Sequence, residues 1–236
     1  TKYPDDIDVA TLYVESLVNK RPWKLWPNYD NPTVENYTME DVDPETIEVG
    51  AVFAKAMTAN VRHPGLAHFF VHYAELGPKH IMKSAVKQSH MLRSQWPFLG
   101  HLLHMASHID MQVGKYSHAM RCNKEGILQD IAYTRYRDST GDTDFYYHGY
   151  RVHNEHMLAW AAMFAGNFEI AIEAAEAPNR TTSSVLFHRW IDWLEPYSTD
   201  AWHVLIRFGK WHEILLRPLP AASPSMVKHG TQRRTV

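Results

Sequence analysis

Cysteine is nearly missing from this chain: Cys122 is the single one in 236 residues. An internal disulfide is therefore impossible, and a zinc site built from thiolates is excluded. No run of about 18 apolar residues occurs, so no membrane span is expected. Charge of one sign is lacking too, with 24 Lys and Arg against 26 Asp and Glu. That balance argues against a nucleic-acid surface, and no acidic or basic block suggests a solvating arm. The opening "TKYPDDIDVA" has no hydrophobic signal region. The expected location is cytoplasmic, and a start at Thr1 suggests a processed chain or a fragment. Serine or cysteine nucleophile motifs are absent.

Strand-like alternation is also absent, and the 11 glycines fall between apolar runs of helical period. The expected class is all-α. Helices are predicted over 7–19, 43–59, 64–76, 79–93, 98–113, 115–136, 146–165, 168–177, 183–193, 197–208 and 210–216. The stretch 20–42, rich in Pro, Asn and Trp, reads as a structured loop, and 136–145 as a polar loop. One helical domain is expected over 1–217, followed by a poorly ordered tail over 218–236.

Three short stretches share one plan: "VGKYSHAM" from Val113, "AGNFEIAI" from Ala165 and "FGKWHEIL" from Phe208. Each predicts a helix ending at a glycine, one polar residue, then an aromatic opening the next helix. Pro64 to Pro97 spans close to a 34-residue helix–turn–helix repeat. Units of this kind stack, because one helix pair cannot bury its own apolar face. The expectation is a superhelix of stacked antiparallel helix pairs.

Histidine is what the chain has in abundance, with 16 residues. "HPGLAHFFVHYAE" and "GHLLHMASHID" carry three each. His68 and His72 are four apart, as are His104 and His108, so each pair shares a helix face. His101 and His104 are three apart, as are His153 and His156. His104 lies ten residues before Gly114, and His156 ten before Gly166, so the two occupy equivalent register. His63 precedes Pro64 at a helix entrance, from where it could fold inward. Neutral imidazole is a common transition-metal ligand, and helical spacing supplies two at once. The candidate ligands are His63, His68, His72, His101, His104, His108, His153 and His156. Glu15 joins them as a ligand or as an acceptor for a ligand's other N–H, because it sits inside an apolar run. The other histidines lack this support and read as surface or packing residues.

The quoted stretches, with "YPDDIDVATLYVESLVNKRPWKLW", "VHNEHMLAWAAMFAGN" and "RFGKWHEIL", resemble a group of bacterial and fungal tetratricopeptide-repeat proteins. That family's pattern is similar to HPGxxHxxIH, then GHLxHMPxHI, then HNxHF. The chain keeps each of its histidines and departs at Ala106, where proline is usual, and at Met157, where an aromatic is usual. The resemblance implies a repeat fold with a histidine-lined cavity and gives no established reaction.

Histidine ligation suits copper first, then iron or zinc, with iron wanting a carboxylate as well. The function expected is a dinuclear copper or iron enzyme that oxidises a small molecule or peptide in the concave groove. Zinc would instead activate water for hydrolysis. The alternative is a non-catalytic scaffold for a partner protein or peptide, with the histidines as a structural or storage site.

Overall fold

The computed structural model describes residues 3, 5–27, 38–57, 62–139 and 145–217. The expected tail over 218–236 lies outside them, as do parts of the loops expected over 20–42 and 136–145. Among the described residues the chain is all-helical, with no strand. None of the helices there is long and apolar enough to cross a membrane.

The helices run α1 Ile7–Val18, α2 Pro44–Ala56, α3 Pro64–Glu75, α4 Lys79–Ser84, α5 Val86–Gln95, α6 Gly100–Gln112 and α7 Tyr116–Ser139. They continue as α8 Phe145–Phe164, α9 Phe168–Thr181, α10 Ser184–Arg189, α11 Ile191–Leu194, a 3-10 turn Pro196–Thr199, α12 Asp200–Arg207 and α13 Trp211–Leu216. The chain divides into two compact units, Thr1–Gln129 and Asp130–Val236, with the division inside α7.

Local chemistry sets the helix starts. Asp6 caps α1 by accepting from the Val9 amide at 3.1 Å, and Asp43 caps α2 with Pro44 at its first position. Asn167 caps α9 by accepting from Ile170 at 3.0 Å.

In the first unit α1 packs on α2 and α3, and α3 also packs on α5 and α6. One apolar cluster joins Val14, Val49, Phe53, Leu66 and Tyr73; another joins Ala67, Val71, Leu92, Met105 and Ile109. Trp26, from the loop before α2, is buried and donates its indole N–H to the Tyr73 carbonyl at 2.6 Å. It thereby clamps the last turn of α3. In the second unit α9 packs against α8 and α12. Their buried alanines, among them Ala159, Ala162, Ala171, Ala175 and Ala201, keep side-chain volume small.

The repeated glycine plan is present as geometry. Gly114, Gly166 and Gly209 have φ of +74°, +72° and +65°. The residue after each glycine donates back five positions: Lys115 to Asp110 at 2.7 Å, Asn167 to Ala162 at 2.9 Å, Lys210 to Leu205 at 2.9 Å. These are three Schellman helix ends, each followed by an aromatic that opens the next helix.

Some boundaries differ from expectation. The helix expected over 79–93 breaks at Ala85, whose amide bonds back only three residues, to Met82. The helix expected to stop at 177 runs through Pro178 to Thr181. Pro178 is buried there, and its own carbonyl accepts from Thr182 at 3.1 Å. Packing of the ring outweighs the loss of one N–H donor. The helix expected over 183–193 is interrupted at Trp190.

At Gly166 an added Cβ would meet nothing within 4 Å, so only backbone strain opposes a side chain there. Gly166→Ala is expected to destabilise the protein by about 1–2 kcal/mol, the cost of holding alanine in the left-handed region. Gly166→Asn should cost less. Chemical denaturation of the two variants checks the order.

Candidate metal centre

Helices α3 and α6 lie side by side in the first unit, and their histidine faces meet. Five imidazoles close a ring of neighbours. The centroid separations are 4.9 Å for His68–His72, 5.2 Å for His72–His108 and 4.8 Å for His108–His104. The ring completes with 5.5 Å for His104–His101 and 5.1 Å for His101–His68. Ligand atoms of His68, His72 and His101 all lie within 4.8 Å of one another, and so do those of His72, Glu75 and His108.

Hydrogen bonds fix which nitrogens face inward. Asn123 on α7 donates its amide to the Ala119 carbonyl at 2.8 Å, so its Oδ1 must accept. His104 Nδ1 lies 2.7 Å from that oxygen and therefore carries the proton. His108 Nδ1 donates to Glu75 Oε2 at 2.6 Å, and His72 Nδ1 donates to Glu75 Oε1 at 2.9 Å. His104 and His108 thus turn Nε2 toward each other. His104 Nε2 lies 3.0 Å from His108 Nε2, and His68 Nε2 lies 3.1 Å from His101 Nε2.

His68 and His101 can meet through an ordinary N–H···N bond between neutral rings, but His104 and His108 both carry their protons on Nδ1, so their facing Nε2 lone pairs need a cation between them. A proton serves; so does a metal, since two ligands about 2.0 Å from one ion stand roughly 3 Å apart. Burial disfavours a charge on His108, but Glu75 outweighs this and raises its proton affinity. Burial, then the charges of His72 and His108, pushes His68 down to about 3, so His68 stays neutral. Burial likewise opposes a charge on Glu75, yet His108 and His72 together hold its carboxyl well below the usual carboxylate range.

The remaining candidates are placed otherwise. His63 caps α3: its Nδ1 accepts from the Leu66 amide at 3.0 Å, and its Nε2 lies 2.8 Å from Asp8. Both nitrogens are taken by local structure, and His63 stands in neither ligand group above. Glu15 is half-buried on α1 and stands in neither group. His153 and His156 lie on α8 in the second unit. His156 Nδ1 is 2.7 Å from the buried Asp200 carboxylate, and its ring meets Tyr197 and Trp160. The ring of His153 lies 6.4 Å from that of Tyr150.

Sequence reasoning left two partners out of the site. Glu75 has the i+3 spacing from His72 that brings them together, a signal readable in the sequence. Asn123 has no such signal, because it comes from another helix. Comparison of the chain with protein-family models, curated proteins and solved structures finds no match.

The second unit buries an acidic pair. Asp130 accepts from the Asn154 amide at 2.7 Å, and Glu155 lies 3.6 Å from the Arg151 guanidinium. Burial pushes both carboxyls up to about 7, against the pull of Arg151. Between about pH 4 and pH 7 the folded protein therefore holds protons that the unfolded chain releases, so stability falls as pH rises through that window. Asp130→Asn keeps an acceptor for Asn154 and removes the charge. It is expected to raise the melting temperature at pH 8 while leaving it nearly unchanged at pH 4. An equal shift at both pH values, followed by circular dichroism, would show that Asp130 is ionised throughout.

Proposed function

We propose that the imidazole ring on α3 and α6 holds a pair of transition-metal ions, copper before iron or zinc. On this reading the protein is a tetratricopeptide-like metalloenzyme that oxidises a small organic molecule or peptide. The observation that carries it is the pair of close Nε2–Nε2 contacts, 3.0 and 3.1 Å, with the Nδ1 side of His104 and His108 engaged elsewhere. A ring with sides of about 5 Å is too wide for one ion: its centre lies roughly 4 Å from each imidazole centre, where ligation needs about 3 Å. Two ions, one beside each close pair, suit that width. Copper bound by neutral imidazoles supplies one-electron chemistry with dioxygen as the oxidant.

The chain's own groups do the positioning. Asn123 and Glu75 fix ring tautomers. Repetition of the glycine-ended helix pair supports the superhelix, whose inner face would receive the substrate. A second reading, a structural or storage site in a scaffold that binds a partner, draws on the depth of the cluster. His104 is fully buried, and the side chains of His108 and Glu75 are only 11% and 12% exposed. A closed four-ligand site favours that reading; an open coordination position favours catalysis.

Protein purified without a histidine tag or added metal is expected to carry about two equivalents of copper by elemental analysis. His104→Ala should lose most of it while far-UV circular dichroism stays close to wild type. Zinc alone would move the reading to hydrolysis or structure. No metal, with none taken up on titration, would remove the site.

A further inference from the structure

We infer that Glu75 serves this centre as a positioning residue, holding two ligands in place, and is not itself a ligand; the inference rests on the metal reading above. Glu75 is the last residue of α3. One of its oxygens reaches back along its own helix to His72 Nδ1 at 2.9 Å, and the other crosses to His108 Nδ1 on α6 at 2.6 Å. Both contacts are to Nδ1. An imidazole that gives Nδ1–H to a carboxylate can ligate only through Nε2, and the bond makes Nε2 a better donor. A single carboxylate thus sets the tautomer and orientation of two rings on two helices.

Glu75 stands close enough to His72 and His108 to compete for the ligand role. Four features count against it. Its two oxygens are already occupied by N–H groups, and the contacts are charge-assisted in a site with little water. If Glu75 turned to ligate, at least one buried Nδ1–H would lose its acceptor. Asn123 performs the same task for His104 with a neutral amide, so the outward Nδ1 contact is a habit of this ring. The last turn of α3 is also held from outside by Trp26, whose indole bonds the carbonyl two residues before Glu75.

The consequence is a donor set of nitrogen alone, with the carboxylate charge held one bond further out. Such a set takes copper or zinc in preference to iron, which favours a carboxylate ligand. Glu75 is then a determinant of metal choice.

The test uses the full chain loaded with half an equivalent of copper(II), with carbon-13 in its glutamate carboxyls. The expected electron–nuclear double resonance spectrum has nitrogen couplings and no strong carboxyl carbon coupling. In Glu75→Gln the amide oxygen serves one Nδ1–H while its NH2 opposes the other. Copper affinity by competition titration should then fall 10- to 100-fold with the nitrogen couplings retained. A strong carbon coupling in the wild type that vanishes in Glu75→Gln would make Glu75 a ligand and overturn the inference while leaving the metal centre standing. Unchanged affinity in Glu75→Gln would overturn it as well. No copper uptake by the wild type would overturn the metal centre and this inference with it. The carbon coupling is read on the wild type, so poor folding of the variant leaves the inference testable.

Discussion

Burying imidazoles between two helices sets the problem that the first unit has to solve. A polar group taken out of water costs free energy unless it finds a partner, and the cost rises with each group added to the same cavity. The apolar residues of α3 and α6 lie on the neighbouring faces, in Val71, Met105 and Ile109, and bring the helices together regardless of the histidines. The histidines then occupy partly buried space, with His104 fully buried. Their solution is mutual: each ring faces another, and the outward nitrogens of His72, His104 and His108 reach Glu75 and Asn123. The carboxylate of Glu75 also raises the proton affinity of His108 against the effect of burial.

Much of this was legible beforehand, for a physical reason. A four-residue spacing on a helix is a statement about space, so His68 with His72 and His104 with His108 could be placed without coordinates. Glycine at a helix end is equally local, and Gly114, Gly166 and Gly209 took the left-handed conformation that their pattern requires. What stayed hidden depended on contacts between distant elements. Asn123 belongs to the ring because of how α7 returns beside α6. His63 looked like an inward ligand from its place before Pro64, yet that same place made it the cap of α3. The helix expected over 168–177 runs one turn further, through the buried Pro178.

The two units meet the burial of titratable groups in opposite ways. In the first, opposite charges sit together, so Glu75 is held ionised and His108 gains proton affinity. In the second, Asp130 and Glu155 crowd one guanidinium, and neutralisation by proton uptake is the cheaper course. His156 adds a third arrangement, with a buried aspartate behind Nδ1 and aromatic rings beside it.

His104 and His156 hold equivalent register before their glycines, and each gives Nδ1 to a side chain from another helix, Asn123 or Asp200. The difference between amide and carboxylate matters. A neutral amide fixes the tautomer alone; a carboxylate also places a negative charge beside the ring. Where two rings face each other at 3.0 Å, a single carboxylate on one side makes the pair unequal and raises the proton affinity of His108. A metal ion entering between them would displace a proton held there and keep both outward bonds intact.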